Sequence, residues 1–294
     1  RSCKKLIEVS LPLESINDAC VTEKFIRTGH PANLHQWWSR KPLAAARAVL
    51  FASLVDDPGN YLDEETAILE ERDRLFKILE QLARWENSNN QLVLDKARLE
   101  IARSLARQNN LPVPVGRSAI LKFLNEHAPT IMDPFAGGGS IPFEAQRLGL
   151  PSHASDLNPV AVLVNKAMIE IPARFTDCAP VHPRTNAGSM DLKNSWSGIE
   201  GLIEDLEFYG QWVQNQAEKK LVDLFPKAAL PSKYGGGEAT VVAWIWAHTI
   251  RCPNPACGAD MPLASKWELS KKQGKETWVQ PVIDRSVTPW KVHY

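Results

Sequence analysis

The 294-residue sequence has no apolar run approaching the roughly 20 residues needed to cross a bilayer, and no hydrophobic block follows its start, Arg1-Ser2-Cys3-Lys4-Lys5. Neither a membrane span nor a secretory leader is expected, and the cytoplasm is the expected compartment. An opening Arg in place of Met points to a partial reading frame or to processing. Net charge is also lacking. With 34 basic and 34 acidic residues, bulk electrostatics gives no argument for nucleic acid. The distribution is uneven: residues 1–50 carry eight Lys or Arg against four Asp or Glu, and residues 251–294 carry seven against four. Basic ends of this kind could approach a phosphate backbone, although ordinary sequences show as much. Cysteine is scarce. Cys3, Cys20, Cys178, Cys252 and Cys257 are too few and too scattered for a disulfide scaffold, so reduced thiols are expected, and only Cys252 and Cys257 form a pair. Two further absences narrow the function: there is no Gly-x-Gly-x-x-Gly dinucleotide loop and no Gly-Lys-Ser/Thr phosphate loop.

What is present is 44% apolar residue, enough for one substantial core or two modest ones. Residues 6–55 read as two helices broken at Gly29-His30-Pro31, the second running from about Pro42 to Val55. Residues 62–108 read as a helical hairpin. Leu75, Ile78, Leu79, Leu82 and Trp85 recur at helical spacing, as do Leu94, Ala97, Ile101 and Leu105, with the turn at Glu86 to Asn90. A solvated pair that packs on the core and carries no chemistry is the preferred reading. From residue 129 the pattern becomes strand, glycine-rich turn, helix, strand, helix, which is the mark of a parallel sheet with crossover helices. Helices are expected at Ile141–Leu148, Pro159–Glu170 and 199–224, then a break at Tyr234-Gly235-Gly236-Gly237 and a strand-like run from Ala239 to Ile250.

The most informative stretch is Asp133-Pro134-Phe135-Ala136-Gly137-Gly138-Gly139-Ser140. A loop at the carboxyl end of a first parallel strand lies at the ligand crevice of an open α/β sheet, and glycine lets backbone approach a ligand closely. The second strand ends at Asp156, whose carboxylate there can accept both hydroxyls of a ribose. A tight turn that needs glycine for its own sake is the plain alternative.

This stretch resembles the cofactor motif of amino-group DNA methyltransferases, Asp-Pro-Phe-x-Gly-x-Gly-Thr/Ser. The resemblance implies an α/β, Rossmann-like S-adenosylmethionine-dependent methyltransferase fold, present in part. It places the cofactor's methionine portion against Asp133, Phe135, Ala136, Gly137, Gly139 and Ser140, its ribose on Asp156, and its adenine beside Leu157 and Asn158. Upstream, His35-Gln36-Trp37-Trp38-Ser39-Arg40-Lys41-Pro42 resembles the His-Pro-x-x-Lys-Pro element of the same enzymes with altered spacing, which adds His35, Trp38, Lys41 and Pro42 as a second wall of the pocket. Core packing is an equal alternative for Trp37 and Trp38. The whole arrangement, from Leu6-Ile7-Glu8 through Trp37 to Ser155-Asp156-Leu157-Asn158, is similar to large predicted adenine-specific DNA methylases that open with a domain of unknown function, contain a zinc ribbon and include anti-phage-associated members. That likeness implies DNA as substrate, defence-system proteins as partners, and four segments: N-terminal helices (1–61), a helical-hairpin insertion (62–110), the methyltransferase core (111–250) and the start of a β-rich zinc-ribbon module (251–294).

Cys252-Pro253-Asn254-Pro255-Ala256-Cys257-Gly258 resembles one knuckle of such a ribbon, with Cys252 and Cys257 as zinc ligands. Two unligated thiols in a loop are the alternative, since a structural site needs four ligands and His293 stands alone beside Tyr294. The family's acceptor motif, Asp/Asn/Ser-Pro-Pro-aromatic, has no counterpart, because the sequence contains no Pro-Pro dipeptide. No catalytic residue is therefore assigned, and the chain is expected to be an inactive N-terminal fragment of the enzyme. A non-catalytic DNA-binding or scaffolding subunit, and a methyltransferase of RNA or a small molecule, are the alternatives.

Overall fold

The computed structural model describes residues 3–183, 196–225, 227–230, 232, 235–241 and 244–293. Arg1, Ser2, Tyr234, Tyr294 and, within the expected run Ala239–Ile250, residues 242–243 lie outside them. Two compact units divide the chain, Arg1–Tyr209 and Gly210–Tyr294.

The first unit is organised around α2 (Leu43–Leu54), a run of Ala and Leu that starts directly after Pro42. Alanine and leucine are strong helix formers, and a helix that is apolar on all sides belongs inside. Nine of its 12 residues are buried. Before it lies α1 (Leu13–Glu23), and after it the hairpin of α3 (Glu65–Ala83) and α4 (Gln91–Asn109). Leu75, Leu79 and Leu82 of α3 join Leu94, Ala97, Ile101 and Leu105 of α4 in one cluster with Leu50, Phe51 and Leu54 of α2. The hairpin thus packs on the core as expected, and its inner faces are themselves core. Its outer face carries ion pairs such as Arg74 to Glu71 and Lys77 to Asp73. The Asn90 side chain caps α4 by accepting the Leu92 amide, and Asn110 ends it in the left-handed region.

A charged knot lies within this core. Arg47 and Glu144 are both fully excluded from solvent, with Arg47 Nε 3.1 Å from Glu144 Oε2 and Arg147 Nε at the same distance. Arg47 also donates to the Leu82 carbonyl at 2.9 Å. The two contacts to Glu144 fall short of full hydrogen-bond alignment, so the attraction is chiefly between charges. Burial consequently pushes the Glu144 carboxyl up to about 7, with Arg47 and Arg147 opposing.

Helix α5 (Arg117–His127) leads into β1 (Ile131–Asp133), α6 (Ser140–Arg147), β2 (Ser152–Ala154) and α7 (Pro159–Asn165). Strands β1 and β2 are parallel, with Ile131 opposite Ser152 and Asp133 opposite Ala154. The strand, turn, helix, strand, helix order is as expected, and it establishes a mixed α/β arrangement. A single π turn, Lys166–Glu170, and α8 (Ile171–Arg174) continue from α7. Helix α9 (Glu200–Leu221) carries the boundary between the units.

The second unit is built from short antiparallel hairpins. These are β3 (Ala228–Ala229) with β4 (Glu238–Ala239), β5 (Thr249–Arg251) with β6 (Asp260–Pro262), β7 (Glu268–Ser270) with β8 (Thr277–Trp278), and β9 (Val282–Asp284) with β10 (Lys291–His293). Among the described residues, the strand-like run expected from Ala239 to Ile250 forms strand only at its two ends, and residues 244–248 carry no regular element. Trp244, Ile245 and Trp246 within it are exposed.

Candidate cofactor site

Parallel pairing brings the loop after β1 and the turn after β2 to the same end of the sheet. The loop folds back on that turn: Ala136 N donates to Ser155 O at 3.0 Å, and Gly137 N donates to Asp156 Oδ2 at 2.8 Å. The other carboxylate oxygen of Asp156 accepts the Asn158 amide at 2.8 Å. The Asn158 and Gly137 amides hold the Asp156 carboxyl below the usual carboxylate range. Each oxygen so used keeps a second lone pair, because a carboxylate offers about four acceptor positions.

Gly137 and Gly139 have φ of +49° and +76°, a region that favours glycine. Gly138 is confined for a different reason. A Cβ there would lie 2.9 Å from Arg40 Nε and 3.2 Å from the Trp37 Cβ. At Gly137 it would meet Trp37 Nε1 at 2.6 Å, and at Gly139 the Asn165 Oδ1 at 2.6 Å. Both the turn and close approach therefore demand glycine here, and the close neighbours are Trp37, Arg40 and Asn165.

The segment from His35 to Pro42 reaches this loop across 99 positions of sequence, where Ser140 Oγ donates to the Lys41 carbonyl at 2.6 Å. Trp37 lies across the glycines. Trp38 is 87% exposed and meets Trp37 edge-on at 5.0 Å, so core packing does not hold for Trp38. His35 and the Lys41 side chain are exposed, and Pro42 forms the N-cap of α2. Phe135 and Leu157 project into solvent at 82% and 98% exposure. Asp133 accepts the Phe135 amide at 3.2 Å, and Asn158 caps α7 by accepting from Val160 N at 2.9 Å.

Asn165 is a residue that the motif reading missed. Buried in α7, it donates to Gly137 O at 3.0 Å and to Ala161 O at 2.8 Å, leaving its Oδ1 buried with no partner. A lone amide in an apolar helix was its only sequence signal. Arg40 was missed too. Its Nε and Nη1 are buried without partners, and burial lowers its pKa while Glu23 opposes. Beside the loop a cleft of ≈ 240 Å³ opens, lined in part by Ala136, Ala154, Ser155, Asp156, Val162 and Asn165.

Cys252 and Cys257 flank the turn between β5 and β6. Cys252 N donates to Ala259 O at 2.8 Å, and Gly258 with φ +57° lets the chain leave the second cysteine. Both thiols are free. Among the described residues no group of three or more His, Cys, Asp or Glu is placed to hold a metal, so zinc is not supported.

The parallel strand pair thus joins a glycine turn to a carboxylate at one end of the sheet. Residues 116–219 match the D12 class N6 adenine-specific DNA methyltransferases, and residues 10–78 match a family of proteins of unknown function (DUF1156). The two matches support a DNA adenine methylase, and a methyltransferase of this class implies use of S-adenosylmethionine. No curated protein and no solved structure matches the chain. No helix among the described residues is long and apolar enough to cross a membrane.

Proposed function

We propose that the first unit is the S-adenosylmethionine pocket of an enzyme that methylates the exocyclic amine of adenine in DNA. The observation that carries this reading is the Asp156 carboxylate, closed on Gly137 N at 2.8 Å with acceptor capacity left on both oxygens for a vicinal diol. Orphaned Asn165 Oδ1 beside the same glycines is a polar atom suited to a polar ligand. When bound, S-adenosylmethionine supplies an electrophilic methyl group. The chain's own part is to hold it: Asp156 on the ribose, Leu157 and Asn158 beside the adenine, and the loop from Asp133 to Ser140 against the methionine portion. His35, Trp38, Lys41 and Pro42 form the opposite wall, with Trp37 pressed to the glycines between them. Because no Pro-Pro-aromatic motif occurs in these 294 residues, methyl transfer by the chain alone is expected to be undetectable. A phage-defence setting, the context of the resembled methylases, extends this reading and is tested by phage plating with and without the gene.

Calorimetric titration with S-adenosylhomocysteine tests the pocket. Wild type should bind, and Asp156→Ala should lose at least tenfold in affinity, about 1.4 kcal/mol at 25 °C. A folded chain that does not bind, or an Asp156→Ala chain that binds as wild type, contradicts the proposal.

A further inference from the structure

A second cavity of ≈ 630 Å³ lies between the end of α1 and the start of α2, lined in part by Lys24, Arg27, Asn33, Gln36, Arg40 and Lys41. Among the described residues its sole carboxylate is Glu23, and that group is already engaged. Glu23 Oε1 accepts from Leu43 N at 2.9 Å and contacts His30 Nε2 at 3.0 Å, while Oε2 accepts from Ala44 N at 2.9 Å. Because His30 Nδ1 accepts the Ala32 amide at 3.0 Å, its ring proton sits on Nε2 and points at Glu23. The ring is also stacked on Trp85 at 5.1 Å. The floor of the cavity is thus a closed hydrogen-bond system, and four cationic side chains face one spent carboxylate.

Within it, Arg40 is the unusual member. Its Nη2 reaches the His35 carbonyl at a long 3.4 Å, whereas Nε and Nη1 are buried with no partner. The planar fork of a guanidinium is the side-chain group that best matches an oxyanion. Lys24, Arg27 and Lys41 are exposed and so add charge accessible from solvent. Arg40 Nε also lies beside Gly138, which places the cavity next to the cofactor loop.

We infer that this cavity is a seat for a DNA backbone phosphate, held by Arg40 with Lys24 and Arg27 around it. The inference rests on the reading of DNA as substrate. An enzyme that draws a base out of a duplex must hold neighbouring phosphates to fix register, and a basic cavity beside the cofactor loop is where such a contact does that. It also gives a role to a segment inside the stretch of unknown function, residues 10–78.

The test uses the whole chain, a short fluorescent DNA duplex and anisotropy between 50 and 200 mM salt. Lys24→Gln/Arg27→Gln should bind DNA about tenfold more weakly and reduce the slope of log K against log salt by about 1, the loss of one phosphate contact. Its affinity for S-adenosylhomocysteine should equal that of wild type. Arg40→Gln should weaken DNA binding similarly, and if that variant fails to fold, the double variant decides. Unchanged DNA affinity and slope in the double variant overturn the inference, as does a wild type that does not bind DNA at 50 mM salt. So does an Arg40→Gln chain that loses S-adenosylhomocysteine but keeps DNA, which would assign the guanidinium to the cofactor's carboxylate. If wild type binds DNA with the expected slope loss in the double variant yet ignores S-adenosylhomocysteine, the phosphate seat stands and the cofactor pocket falls.

Discussion

Leu6, Phe51, Leu79 and Ile101 in the helical body are wholly excluded from solvent, whereas between Gly210 and His293 the single buried apolar residue among those described is Ala259. The second unit is not poor in apolar side chains, since Trp212, Trp244, Trp246, Trp278 and Val282 all lie there, exposed. Trp212 lies on α9, and beyond that helix the difference is one of element length. Helices of 12 to 19 residues present several apolar side chains on one face, as Leu75, Leu79 and Leu82 do. Strands of two or three residues cannot, and hairpins that short are marginal without a packed face. The glycine loop and Asp156 are therefore carried by the part of the molecule that has its own core. The long-range contact of Ser140 with Lys41 rests on that support.

Truncation at the two ends of this contrast should give the largest effect. Leu79→Ala, at the centre of the buried cluster, should cost about 3 kcal/mol in denaturant unfolding followed by circular dichroism, while Trp278→Ala should stay within about 0.5 kcal/mol. Equal costs would erase the distinction between the units.

The buried charge sharpens the comparison through pH. Glu144 titrates near 7 in the folded chain against an ordinary value of 4.5, so between those limits the native state keeps a proton that the unfolded chain has released. The stability from this group is complete below the lower value and is lost as pH rises through the upper one. Glu144→Gln should flatten that decline in pH-dependent melting, and a variant with the wild-type slope contradicts the assignment. The smallest effect is expected from Ser140→Ala, which releases the Lys41 carbonyl. It should cost about 1 kcal/mol in unfolding free energy. No measurable change would mean that the tie between the upstream segment and the loop is dispensable.

These contrasts also mark what the sequence could show. The alternation around residues 130–165 was legible because strand, glycine turn and acidic strand end are local, and the spacing from Asp133 to Asp156 needs one crossover helix. The helical hairpin was legible from leucine periodicity. Helix α5 went unread, although Ile120, Leu121 and Leu124 sit at helical spacing after Gly116, because its 11 residues fall between two stronger patterns. The resemblance placed the segment from His35 to Pro42 at the pocket, but which of its side chains meet the glycines, Trp37 and Arg40, was not legible. Their positions depend on a closure over about a hundred residues, set by how α2 packs on α6, and no local spacing encodes it. Within the tryptophan pair, the sequence favoured Trp38 as a pocket wall, whereas the close contact with the glycines is made by Trp37. Trp38 remains a proposal resting on resemblance.

Ultraviolet cross-linking of methyl-labelled S-adenosylmethionine to the chain, followed by peptide mapping, most directly tests whether the loop after β1 and the turn after β2 form the cofactor pocket. Label in the peptides that contain Trp37 to Lys41, Asp133 to Ser140 or Asp156 to Asn158, competed by unlabelled S-adenosylhomocysteine, is the predicted result. Competed label confined to the hairpins beyond Gly210, or no competed label on a folded chain, would contradict it.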